Sequence, residues 1–151
     1  MDEQKVKYRS PVLQGLFDYW ASKWNDGRLP GRQHIDPAEI LKMWPSLYLI
    51  DVVRLSEQPR FRFRYVGEEI ANKFLRDATG KWFDELYDTE TYERLVVGYR
   101  KALDTKRPNH ALLNMPIEGR EYILYERLVC PLAADGDTVD MLIGVLDFPQ
   151  R

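Results

Sequence analysis

The hydrophobic positions change period along the chain. Leu13, Leu16, Phe17, Trp20 and Trp24 recur at helical spacing, which gathers them on one stripe of an amphipathic helix ending near residues 25–27. Leu29, Pro30, Gly31 and Arg32 form a turn-rich connector. Asp36 is then placed to cap a short helix, with Pro37 at its first position and Glu39 completing a capping-box pattern. That helix runs to about Met43 and Pro45 ends it. Residues 47–54 are an almost unbroken apolar run of β-formers, the pattern of a mid-sheet strand. Residues 60–66 differ: Phe61, Phe63 and Tyr65 alternate with Arg60, Arg62 and Arg64, which predicts a half-buried strand. Between 67 and 87 the strand signal disappears. Ile70, Ala71, Phe74 and Leu75 suggest a short helix, Thr79-Gly80 a turn, and residues 82–86 a second helical turn. Tyr92, Leu95, Val96, Tyr99 and Leu103 return to helical spacing, with acidic residues at the start and Lys101, Lys106 and Arg107 near the end, so this is the longest predicted helix. Beyond Pro108 the pattern is β, with strands near 110–117, 120–132 and 139–148 separated by Glu118-Gly119 and Asp135-Gly136 turns.

Two strands, several helices and three further strands argue an α+β domain with an antiparallel sheet and helices on one face. The apolar runs at 47–53 and 141–146 belong in the centre. Pro116 and the arginines of the second strand mark the edges, because proline cannot donate to a ladder and exposed charge discourages further pairing. Joining centre to edge through the hairpins gives the strand order 2-1-5-4-3.

Length and composition narrow the setting. The 151 residues make one ordinary domain, read as a helical leader over 1–46 and a sheet domain over 47–151 within one folded unit. Lys and Arg total 22 against 24 Asp and Glu, a net charge of −2, so no global basic field holds nucleic acid or anionic lipid. No apolar run is long enough to span a bilayer, and residues 1–9 lack the core of a secretory signal. Cys130 is the single cysteine, which excludes an internal disulfide or a cysteine metal cage and suits a reducing cytoplasm.

The strand order, the long helix before the third strand, and the run Tyr65-Val66-Gly67-Glu68-Glu69-Ile70 leading to Thr79-Gly80-Lys81 and Leu86 together resemble the PAS domain family. The leader, with Leu29-Pro30-Gly31-Arg32 followed by Asp36-Pro37, is similar to that of bacterial stand-alone single-domain PAS proteins. The resemblance implies a non-enzymatic sensor or interaction module that binds a small molecule or a protein partner between the long helix and the sheet. Its pocket would be lined by Tyr92, Leu95, Val96 and Tyr99 from the helix. Phe63, Tyr65, Tyr122, Leu124 and Tyr125 would contribute from strands, and Phe74 and Trp82 from the segment between; alternatively these side chains simply fill the core. Leu13, Leu16, Phe17, Trp20 and Trp24 would either cover the sheet or dock on a second copy, since a helix before the first strand commonly forms PAS homodimers.

Haem and flavin are not supported. Haem-binding relatives use a histidine on the long helix, whereas His34 lies in the leader and His110 at the start of an edge strand. Flavin light sensors carry a reactive cysteine in the helical segment, and residues 75–86 contain none. The carboxylates Glu68, Glu69, Asp88 and Glu90 sit where helix N-termini favour acids, and the loop at Asp135, Gly136 and Asp137 is too short for calcium. The alternative function is a small cone-fold isomerase or hydrolase using a pocket carboxylate, with Glu126 as the candidate because it alternates with Leu124 and Leu128.

Overall fold

The computed structural model describes residues 7–149; residues 1–6, part of the charged terminus considered above, and residues 150 and 151 lie outside them. The first helix, α1, is Pro11–Ser22. The Ser10 hydroxyl accepts from the Leu13 amide at its N-terminus, and Pro11 occupies the first helical position, which satisfies one orphan donor and uses the residue that has none to offer. It stops earlier than the periodicity predicts. Asn25 and Arg28 exchange backbone hydrogen bonds across a tight reversal in which Asp26 and Gly27 have φ of 56° and 81°, so the chain turns back before Trp24 completes another helical turn. Trp24 still meets Trp20 edge-on at 5.0 Å.

A 3-10 segment, Pro37–Ser46, leads into the sheet. Asp36 caps it, but it passes through a kink at Ile40 and carries Pro45 inside rather than ending before it. The strands are β1, Leu47–Val53; β2, Arg60–Val66; β3, Asn109–Asn114; β4, Leu124–Leu132; and β5, Met141–Asp147. Every neighbouring pair is antiparallel and the order is β2-β1-β5-β4-β3, as the apolar runs and the edge residues predicted. Between β2 and β3 lie α2, Glu68–Phe74, α3, Phe83–Leu86, and α4, Thr89–Thr105. Asp88 caps α4 by accepting from the Thr91 amide at 2.8 Å. The β3–β4 connection is longer than a tight turn at Gly119: Met115 and Ile123 close a loop of their own, tied by the Asn114 amide to the Glu121 carbonyl at 2.7 Å.

The two sides of the sheet are covered by different helices. The side carrying Tyr48, Val129 and Gly144 faces α4, since the Tyr48 and Tyr99 hydroxyls meet at 3.1 Å and a Cβ at Gly144 would collide with Tyr48 and Val129. The opposite side faces α1, whose Trp20 indole donates to the Pro131 carbonyl at 2.8 Å. Leu13, Leu16, Phe17 and Trp20 are at most 1% exposed. Of the two roles expected of the stripe, these four side chains take that of covering the sheet. The sheet's own apolar face had to be covered, and α1 covers it within one chain, so the stripe is already spent on the core.

One irregularity sets the chemistry of both faces. Leu49 pairs with Tyr65 but Ile50 with Phe63, so Arg64 is an extra residue bulged out of β2. The alternation slips by one at that point. Phe61 and Phe63 face α4, Val66 takes the next inward place, and Tyr65 turns to the other side, where its ring lies 4.9 Å from Trp44. The slip also brings Arg62 and Arg64 to one carboxylate: both contact Asp51, at 2.9 Å and 3.1 Å, although Asp51 is only 6% exposed.

Candidate functional site

Between α4 and the sheet lies a cavity of about 40 Å3. Tyr48 from β1 and Phe63 from β2 form part of its floor, joined by Tyr125 from β4 and Leu146 from β5. Leu95 and Tyr99 reach it from α4, which places them one turn apart on the buried stripe. The remaining wall comes from the segment between β2 and α4: Ile70, Phe74, Arg76, Ala78, Phe83 and Tyr87. That segment is held to β2 by a short ladder, with the Gly80 amide donating to the Phe63 carbonyl at 2.7 Å and the Phe63 amide to the Lys81 carbonyl at 2.9 Å. The free edge expected of β2 is thereby covered. Arg60 adds a bidentate pair to Asp84 at 2.7 Å and 2.8 Å, and Phe83 stacks on Phe63 at 4.2 Å.

The polar side chains of this cavity are four phenols and the Arg76 guanidinium. Burial pushes the Tyr48 and Tyr125 hydroxyls well above the ordinary tyrosine value, and Tyr87 up to about 12, with the neighbouring Tyr99 adding to each shift. All remain protonated donors at neutral pH. Tyr48 and Tyr99 satisfy each other, but Tyr125, only 4% exposed, has no hydrogen-bond partner among the described residues. Its oxygen is not among the fully enclosed unpartnered atoms, so it keeps accessible surface that a water or a guest can reach.

Behind Tyr99 stands a buried cation. Arg127 is 2% exposed and lies 4.7 Å over the Tyr99 ring; it donates to Asn109 Oδ1 at 2.7 Å and more weakly to the Leu95 carbonyl at 3.4 Å. Its Nε has no partner, and no carboxylate pairs with it among the described residues. Gly98 makes the space: a Cβ there would come within 2.1 Å of Arg127 Nη2 and 2.3 Å of Asn109 Oδ1. The positive charge raises the hydrogen-bond acidity of the phenols it faces.

Of the residues singled out from sequence, Phe63, Phe74, Leu95, Tyr99 and Tyr125 meet at the cavity. The others do not. Val96 is fully buried elsewhere in the core. Tyr65 is displaced by the bulge, and Trp82 lies outside β2, with the Arg60 guanidinium 4.0 Å and the Arg62 guanidinium 4.9 Å from its ring. Tyr92 is half-buried under Arg100. Tyr122 is 80% exposed and Leu124 42%, because the chain is still in the loop before β4 and only entering the ladder. Sequence reasoning missed Tyr48, Val66, Ile70, Arg76, Ala78, Phe83, Tyr87 and Leu146. Phe83 and Tyr87 carried a usable signal in their spacing of four, and Tyr48 as a hydroxyl within an apolar strand.

Glu126 does not enter the cavity. It turns outward and meets His110 Nε2 at 2.6 Å, with the Tyr8 ring 5.2 Å from His110. The pocket-carboxylate route to catalysis therefore loses its candidate, and no carboxylate lines the cavity. His34 is a loop acceptor, taking the Gly31 amide on Nδ1 at 2.9 Å. Cys130 neighbours Val129 on β4 and so lies on the α1 side, fully buried, with its thiol pushed well up by that burial. No cluster of metal-ligating side chains occurs among the described residues, and none of their helices is long and apolar enough to cross a membrane.

Solved structures share this architecture. One is a light-oxygen-voltage domain studied with a flavin analogue, at 13% identity over 76% of this chain and 84% of that one, TM-score 0.55. A sensory-box sensor histidine kinase from Vibrio cholerae matches at 17% identity, covering 76% and 90%, TM-score 0.51. A fungal LOV domain photoreceptor matches at 15% identity, covering 93% and 95%, TM-score 0.52. No curated protein matches the chain. The residues here do not fit a flavin. The cavity lining offers no Asn or Gln for the polar edge of the ring system, and the one cysteine is on the other side of the sheet. The family model described as PAS domain matches residues 8–147, nearly the whole described chain including α1, and with the strand order and the position of α4 it establishes that this protein belongs to the PAS domain family.

Proposed function

We propose that this PAS domain is a non-enzymatic sensory module of signal transduction that takes a small molecule into the cavity between α4 and the sheet and reports it through altered contacts with a signalling protein in the cytoplasm. The observation that carries this reading is Tyr125, a residue that lines the cavity, is 4% exposed and makes no hydrogen bond through its hydroxyl to another described residue. A filled structural core would have replaced it by phenylalanine or paired it. The cavity holds at most a few waters at about 40 Å3, so a larger guest must move a wall. The wall suited to moving is the α2–α3 segment, since the sheet floor is fixed by continuous ladders while this segment is attached by a few edge hydrogen bonds and exposed ion pairs.

Native mass spectrometry of the protein purified from its own source tests the reading. The expected result is a retained small molecule whose occupancy falls in Tyr125→Phe. An unliganded mass throughout, together with a higher melting temperature for Tyr125→Phe, would show the hydroxyl to be only a burial cost and end the ligand hypothesis.

A further inference from the structure

The cavity has a second compartment beside it. A surface recess of about 260 Å3 is lined by Phe74, Leu75, Arg76, Tyr87, Pro116 and Ile117. Phe74, Arg76 and Tyr87 line the inner cavity as well, so these three side chains are the partition between them. Phe74 fills its side of the partition edge-on to Tyr125 at 5.6 Å. The Arg76 guanidinium lies 5.9 Å over the Tyr87 ring and pairs with no carboxylate among the described residues. Between Phe74 and Arg76 the backbone is strained: Leu75, 61% exposed, holds φ of 65°, a left-handed conformation that a branched residue adopts at a cost. Leu75 is the left-handed cap of α2, and Phe74 and Arg76 flank it on either side.

The chemistry of the two compartments is one-sided. Neither is lined by a carboxylate, the partition carries the Arg76 cation with only Tyr87 beside it, and at the inner end the Tyr125 hydroxyl, without a hydrogen-bond partner among the described residues, feels the charge of the buried Arg127. Such a site repels cations and favours an anion with an acceptor at its far end. The walls between are aromatic rings, which favour a flat apolar body.

We propose that the cavity and the recess are one site for a small aromatic carboxylate, with Arg76 holding the carboxylate at the partition and Tyr125 donating to an oxygen at the buried end. The guest displaces Phe74 and joins the two compartments. This rests on the ligand-binding reading above and adds to it the charge and shape of the ligand.

Calorimetric titration of the full chain with para-hydroxyphenylacetate, its amide and tyramine separates the contributions, because the three share a ring and differ in charge. The acid is expected to bind at least about tenfold more tightly than the amide, as a charge-assisted pair requires, and tyramine more weakly than either. Arg76→Gln, at an exposed position that leaves the fold intact, is expected to bring the acid down to the amide. Tyr125→Phe is expected to remove the advantage of para-hydroxyphenylacetate over phenylacetate. Equal binding of acid, amide and amine, or a preference for the acid that survives Arg76→Gln, overturns the proposal. Failure of all three to bind also overturns it, while a retained ligand of another class in native mass spectra would leave the sensory reading standing.

Discussion

Tyr48, Tyr87, Tyr99 and Tyr125 converge on one cavity, and burying phenols has a consequence that titration exposes. Tyr87 ionises near 10 in the unfolded chain and is raised to about 12 in the fold by burial first and by Tyr99 second. Tyr48 and Tyr125 shift in the same direction for the same leading reason. Between about pH 10 and about pH 12 the unfolded chain therefore gives up protons that the folded one keeps, and linkage makes unfolding easier as pH rises. The contribution is fully present below pH 10 and lost through the folded value. Urea unfolding midpoints should begin to fall near pH 9, where the buried Cys130 thiol ionises only in the unfolded chain, and fall further above about pH 10, with Tyr87→Phe flattening part of the later decline. A midpoint that stays level across that window would mean the phenols are already open to water.

At the scale of the element, α1 decides whether the molecule is built as one layer or two. Trp20 is fully buried and its indole donates to the Pro131 carbonyl of β4. Trp20→Ala should cost about 3–5 kcal/mol in urea unfolding, the range for deleting a buried aromatic side chain, while the sedimentation mass of the folded protein stays the same. A changed mass at an unchanged midpoint would instead place the stripe at an interface. The stripe itself was legible from spacing; its partner was not, because periodicity shows that a helix has an apolar face and says nothing about which surface answers it. Strand order was legible for a related reason, as apolar runs mark the centre and proline or charge marks the edge. The pocket was only partly so. A strict alternation through Phe61, Phe63 and Tyr65 pointed all three the same way, and the bulge at Arg64 sent Tyr65 outward and Val66 inward. A bulge leaves no mark in the period on either side of it. Arg76, between α2 and α3, escaped notice because an irregular wall has no period to read.

Over the whole molecule the cavity wall and the N-terminal layer meet at Gly67. Its amide donates to the Leu47 carbonyl at 2.8 Å, and α2 starts immediately after it. A Cβ at this position would lie 2.4 Å from the Pro45 carbonyl oxygen and 2.6 Å from that of Trp44. Both are backbone atoms, so a neighbouring side chain cannot rotate to make room and the segments themselves must part. The same 3-10 segment is tied to α2 through Ser46 and Glu69 at 2.7 Å, and to α1 through Tyr19 and Glu39 at 2.7 Å. A shift of α2 when the cavity opens thus has a continuous route of contacts to the helix on the far side of the sheet. Gly67→Ala should cost about 1–3 kcal/mol, as overpacking does, and should act on one side of the joint. Hydrogen exchange is expected to quicken over residues 68–87, where the wall loses its anchor, while amides of β1 and β5 keep their protection because their ladders are untouched. With para-hydroxyphenylacetate added, the parent protein should slow exchange both in 68–87 and in 37–46, and Gly67→Ala should confine the slowing to 68–87. If the variant transmits the effect to 37–46 as fully as the parent does, the joint at Gly67 is not the route between the cavity and the N-terminal layer.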